Sequence, residues 1–128
     1  MSENQKILSP SRSTPEVILD SKGIIKITGR LISNNPTDFF DQLDEGINEY
    51  FCNPHDMTCL EISFEYINSE CTKYLVNTIR RIIHVHLKNN KEKLTINWYY
   101  KDDDEDMLEK GTFFSPVLDV DISFIKII

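Results

Sequence analysis

Basic residues are scarce in this chain. Its 128 residues hold 14 Lys and Arg against 21 Asp and Glu, a formal net charge of −7. That deficit argues against nonspecific nucleic-acid binding and against adsorption to anionic membrane, both of which need a cationic surface. Long apolar runs are missing as well: none approaches the ~20 residues that span a bilayer. The opening Met1–Gln5 is polar and lacks the apolar core of a signal peptide, so the expected location is the cytoplasm. Cysteine is sparse. Cys52, Cys59 and Cys71 cannot all pair, and spacings of 7 and 12 contain no Cys-x-x-Cys. Reduced, buried thiols are the expectation, with zinc on Cys52, Cys59 and His55 as the irregular alternative. Four Gly and five Pro leave no low-complexity tract and no repeat. A chain this long should bury ~65% of its unfolded surface, enough for one core. One domain over residues 1–128 is expected, with 1–14 as a flexible N-terminal arm.

What is present is periodicity. Val17–Leu19 and Ile24–Ile27 flank Asp20-Ser21-Lys22-Gly23, a hairpin pattern whose second strand ends at Gly29. Phe39, Phe40, Leu43, Ile47, Tyr50 and Phe51 follow helical spacing over 37–51, with Pro36 in the first turn and Ser33 or Asn35 as cap. Leu60, Ile62, Phe64 and Tyr66 alternate with Glu61, Ser63 and Glu65, which predicts a strand with one dry face. Leu75, Val76, Ile79, Ile82, Ile83 and Leu87 predict a helix over about 70–88. Leu94, Ile96, Trp98 and Tyr100 predict another strand, 103–110 a short acidic helix stopped by Gly111, and Leu118 to Phe124 a last strand. Strict alternation differs from the continuous apolar runs of doubly wound sheets. The predicted class is α/β: a mixed sheet with helices mainly on one face and the two long helices side by side.

Two segments could carry chemistry. Between the 60–66 strand and the long helix lies Asn68-Ser69-Glu70-Cys71-Thr72-Lys73, where Asn68 or Ser69 can cap the helix. A hydroxyl at a helix N-terminus is also well placed for a phosphate, because free amides and the helix dipole favour negative charge. The second is Asp102-Asp103-Asp104-Glu105-Asp106 with Glu109, which gives residues 101–110 six acids against two lysines. A consecutive run splays its carboxylates around a helix and lacks the glycine of a calcium loop, so a docking face fits better than a metal site. Lys73, Arg80, Arg81, Lys88, Lys91 and Lys93 reverse the sign over 73–93, with Glu92 the lone acid. Catalytic signatures are absent. There is no nucleophile elbow, Walker loop or dinucleotide fingerprint, and His84 and His86 stand two apart on a helix, facing different ways.

Longer stretches resemble one family. Thr14-Pro15-Glu16-Val17 with Asp20 and Gly23, Gly29-Arg30, Asn35-Pro36 and Phe39-Phe40 are similar to its opening hairpin and first helix. Tyr66-Ile67-Asn68-Ser69 with Lys73 and Leu75 resembles its phosphorylation segment. Trp98-Tyr99-Tyr100, Asp103-Asp104-Glu105-Asp106-Met107 and Glu109-Lys110-Gly111 resemble its most distinctive stretch. Over residues 7–127 the chain looks like the SiaC family of bacterial regulatory phosphoproteins. The resemblance implies a fold similar to anti-sigma-factor antagonist (STAS-like) domains and a non-enzymatic partner-switching adaptor with no cofactor. It implies a Ser/Thr kinase, a metal-dependent protein phosphatase and a diguanylate cyclase as partners. The unphosphorylated form would activate the cyclase, raising cyclic di-GMP and promoting biofilm. By position the acceptor is Ser69, with Thr72 in reserve. The expected partner-binding residues are Asn68, Glu70, Lys73, Asp103, Asp104, Glu105 and Asp106. Two departures stand out: Glu70 and Cys71 follow the acceptor where the family has small hydroxyl residues, and Ser33-Asn34-Asn35 replaces a Pro-Glu-Asn stretch. Glu70 sets a permanent negative charge beside the acceptor. The other readings are a constitutive binding module and a small acidic metal-binding domain.

Overall fold

Alternation organises the sheet. The structure, a computed structural model, describes residues 5–52, 54, 55, 57–89, 93–118 and 120–127, the side chains of 87–89 excepted. Asn4 and the residues before it, Lys91, Glu92 and the Lys88 side chain lie outside that description. The described elements run β1 (Gln5–Leu8), β2 (Glu16–Asp20), β3 (Ile24–Leu31), α1 (Thr37–Phe51), β4 (Met57–Ile67), α2 (Ser69–Asn89), β5 (Lys93–Lys101), α3 (Glu105–Leu118) and β6 (Ser123–Ile127). The strands form one six-stranded sheet in chain order, antiparallel from β1 to β3 and parallel from β3 to β6.

Register settles which side is dry. Val17, Ile27, Ile62, Trp98 and Phe124 lie in one row across the sheet, and Leu19, Ile25, Leu60 and Ile96 in the next. These rows meet the helices. Leu19 lies under Gly46 of α1, Trp98 and Phe124 lie under Gly111 of α3, and α2 packs between its two neighbours. The intervening rows, Ile18–Lys26–Glu61–Asn97 and Thr28–Ser63–Tyr99–Ile125, face away from the helices. The expected mixed sheet with helices on one face is what the chain forms. Asp44 of α1 ties the long helices together: it pairs with Arg81 at 2.8 Å and accepts from Thr78 at 3.3 Å. Burial pushes its carboxyl above the usual range despite that guanidinium.

Five local expectations change. Gln5–Leu8 is an antiparallel edge strand on β2, so residues 5–8 of the expected arm belong to the sheet. Gly29 does not end β3: the pairing slips between Gly29 and Arg30 and the strand continues to Leu31, as at a β-bulge. Helix α1 has Pro36 at its cap position with no side-chain cap, because the Ser33 hydroxyl is used by the amide of Asn35 at 3.1 Å. Helix α3 runs on through Gly111 to Leu118. There glycine is needed for contact: a Cβ would stand 2.7 Å from Trp98 ring atoms and 2.8 Å from Phe124. Its extension claims Leu118, so the last strand starts only at Ser123. The β2–β3 turn needs glycine for a different reason. Gly23 has φ +101°, and a Cβ would run into the Met57 carbonyl.

The open face carries a polar cluster centred on Glu61. Its carboxylate accepts from Tyr99 Oη at 2.6 Å, Asn97 Nδ2 at 2.7 Å and Cys59 Sγ at 3.0 Å. Burial alone would raise the Glu61 carboxyl, but these donors and Lys26 outweigh it and hold it below its usual value. The hydrogen bond to Glu61, with burial, pushes the Tyr99 phenol up to about 12. Burial, with the bond to Glu61, takes the Cys59 thiol to about 12. The signs follow. Glu61 contributes stability above the carboxylate's unfolded value of 4.5, lost as pH falls through its depressed folded value. Tyr99 and Cys59 contribute stability that is complete below their unfolded values of 10.0 and 9.0, lost as pH rises through about 12. Thermal melts across pH should therefore show both losses, and Glu61→Gln should remove the acid one and reduce the alkaline one. An unchanged profile would show that the cluster is not coupled to folding.

Candidate functional site

The strand-to-helix junction builds the site from backbone upward. Strand β4 delivers Asn68 beside β3, where its amide donates to the Leu31 carbonyl at 3.1 Å. The Asn68 side chain then accepts the Cys71 amide at 2.9 Å, and its carbonyl accepts the Thr72 amide at 3.0 Å. Asn68 is thus the cap of α2, and Ser69 is the first helical residue. Of the two capping options the structure uses Asn68, which releases Ser69. The Ser69 hydroxyl is exposed, and among the described residues nothing pairs with it. An anion there would meet unpaired amides of the first turn and the positive end of a 21-residue helix.

Thr72 is placed differently. It is half-buried and its hydroxyl donates to the Asn68 carbonyl at 2.9 Å. It also lines a shallow groove of about 360 Å³ between α2 and α3, shared with Asp106, Glu109, Lys110, Phe113 and Phe114. Glu70 and Lys73 are exposed on α2. Lys73 stands four residues after Ser69, on the same side of the helix.

The acidic run divides by task. Asp104 caps α3, accepting the Met107 amide at 3.0 Å, and Asp102 pairs with Lys126 at 3.3 Å. Asp103, Glu105 and Asp106 point to solvent, and only Asp106 joins the groove beside Thr72. The run thus presents scattered charge, and among the described residues no three His, Cys, Asp or Glu side chains converge. The cysteines separate as well. Cys52 is exposed and Cys59 half-buried, so the expectation of buried thiols holds for Cys71 alone, whose thiol burial pushes up.

Sequence reading gave no binding role to three residues of this surface, Lys110, Phe113 and Tyr66. Lys110 reaches across from α3 to donate to the Ile67 carbonyl at 2.9 Å, its ammonium 5.2 Å from the centre of the Tyr66 ring. Glu109 lines the groove next to it. Phe113 is 59% exposed at the groove and Tyr66 49% exposed beside it. The surface joins through a contact between residues 43 apart in the chain, which local periodicity does not register.

The described residues form a two-layer domain of the STAS-like α/β fold, with a hydroxyl that none of them pairs with at the start of α2. A family model described as SiaC family regulatory phosphoprotein matches residues 8–127, and the chain belongs to that family. Solved structures agree on the fold. A chain from the crystal structure of the Pseudomonas aeruginosa diguanylate cyclase SiaD in complex with its activator SiaC superposes with a TM-score of 0.82 at 15% identity, covering 95% of this chain and 99% of that one. Apo-SiaC of Pseudomonas aeruginosa gives 0.76 at 18% identity, covering 96% and 98%. A further SiaC structure from that organism gives 0.74 at 17%, covering 95% and 96%. No curated protein matches the sequence. Among the described residues no helix is long and apolar enough to cross a membrane.

Proposed function

We propose that this regulatory phosphoprotein works as a cytoplasmic, non-catalytic adaptor switched at Ser69. A Ser/Thr kinase adds the phosphate and a metal-dependent protein phosphatase removes it. The unphosphorylated form binds and activates a diguanylate cyclase, raising cyclic di-GMP. The observation that carries this reading is the exposed, unpaired Ser69 hydroxyl at the start of α2. The Pseudomonas aeruginosa SiaC is described as the activator of the cyclase SiaD, which supports the choice of partner.

Geometry also supports Ser69 over Thr72 as the acceptor. A phosphate on Thr72 would forfeit the bond to the Asn68 carbonyl and enter a groove that holds Asp106 and Glu109. Among the described residues Ser69 has no bond to lose. Incubation with the cognate kinase, followed by mass-spectrometric mapping, should place one phosphate on Ser69, and Ser69→Ala should take up none. Labelling at Thr72 alone, or no labelling, would remove the switch from this position.

A further inference from the structure

We propose that Lys110 is the internal counter-ion of the phosphorylated state: once Ser69 carries phosphate, the Lys110 ammonium leaves the Ile67 carbonyl and the Tyr66 ring and pairs with it. This rests on the reading of Ser69 as the acceptor. Its effect is to unfasten α3 from the end of β4, so the switch alters shape as well as charge.

The present partners of Lys110 are weak ones. A neutral carbonyl at 2.9 Å and the face of one aromatic ring hold a full positive charge, which forms no ion pair among the described residues. A phosphate brings about −1.5 to −2 charges and three acceptor oxygens. Charge-assisted bonds of this type are roughly twice as strong as those to neutral acceptors. Ile67 precedes Ser69 by two residues, and Thr72, one turn along α2 on the side of Ser69, lines the groove together with Lys110. Asp106 and Glu109 line that groove too and would be repelled by the phosphate. Attraction of Lys110 and repulsion of its two acidic neighbours both displace the first turns of α3. Tyr66, now under the Lys110 ammonium, and Phe113 at the groove would change exposure as a result.

Lys73 is the competing cation, exposed and four residues after Ser69. Pairing with it would leave α3 in place. The two cases separate in a titration of protein carrying phosphoserine at position 69, installed during translation so that no kinase is needed. The second phosphate pKa, about 6 when free, should fall by about one unit in the wild type. In Lys110→Gln about half of that drop should disappear, and Lys110→Arg should restore it. Phosphorus NMR gives the pKa, and the Tyr66 ring resonances should move further on phosphorylation in the wild type than in Lys110→Gln. Equal pKa values in wild type and Lys110→Gln would overturn the proposal, as would a drop abolished only by Lys73→Gln. Failure of a kinase to choose Ser69 would sink the acceptor assignment instead, and the two results are read separately.

Discussion

Replacing Trp98 by alanine should cost about 4 kcal/mol of unfolding free energy, within the usual range for truncating a fully buried aromatic. Trp98 is 1% exposed at the centre of β5, in register with Ile62 on one side and Phe124 on the other. Its ring lies 5.2 Å from that of Phe114 and 6.4 Å from that of Phe64, and its indole N–H donates to the Met107 carbonyl at 3.0 Å. Gly111 lies flat on the same ring. The hole left by truncation therefore has α3 as its lid and three strands as its floor, and rigid walls collapse poorly. Domains of this size hold about 5–15 kcal/mol in total, so the variant should be marginally folded at 25 °C. Urea unfolding followed by circular dichroism measures the loss, because the substitution removes the only tryptophan signal. Trp98→Phe keeps most of the volume and should lose roughly 1–2 kcal/mol. A loss below about 1 kcal/mol for alanine would mean that α3 packs on the sheet without this ring as its anchor.

A second large effect is expected at Ser69. Ser69→Asp should weaken binding to a diguanylate cyclase at least tenfold, or about 1.4 kcal/mol, while Ser69→Ala binds as wild type does. Aspartate supplies one negative charge and phosphate nearly two, so phosphorylated protein should lose more. The change adds to Glu70, already exposed next door, which tempers its relative size. Calorimetric titration at two salt concentrations reads both numbers, and screening should shrink the difference between the forms. Equal affinity of all three forms would leave a constitutive binding module, with Glu70 standing in for the regulated charge.

Much of this architecture was legible in the chain because periodicity is local. Helices α1 and α2 and strands β4 and β5 each carry an uninterrupted apolar pattern matched to their own period. The features that escaped are those decided by partners far away in sequence. Strand β1 has two apolar residues in four, and pairing with β2 is what makes it a strand. Helix α3 carries Met107, Gly111, Phe114 and Leu118 at spacings of 4, 3 and 4, a readable stripe that only the packing of Gly111 on Trp98 identifies as continuous. The same division runs through the site. The Asn68 cap and the Ser69 hydroxyl lie within one turn and follow from capping chemistry. Lys110 and Phe113 reach the surface only once α3 is laid beside α2, which no window of local sequence reports.

Strand order that copies chain order has a consequence for how the molecule is made. Each strand docks on the one synthesised just before it, with at most one helix between them. A nascent chain leaving the ribosome can thus enlarge its sheet one edge at a time, with no gap held open for a segment yet to come. Each new strand covers the border left by the one before it, and among the described residues the five of β6 form the edge opposite β1.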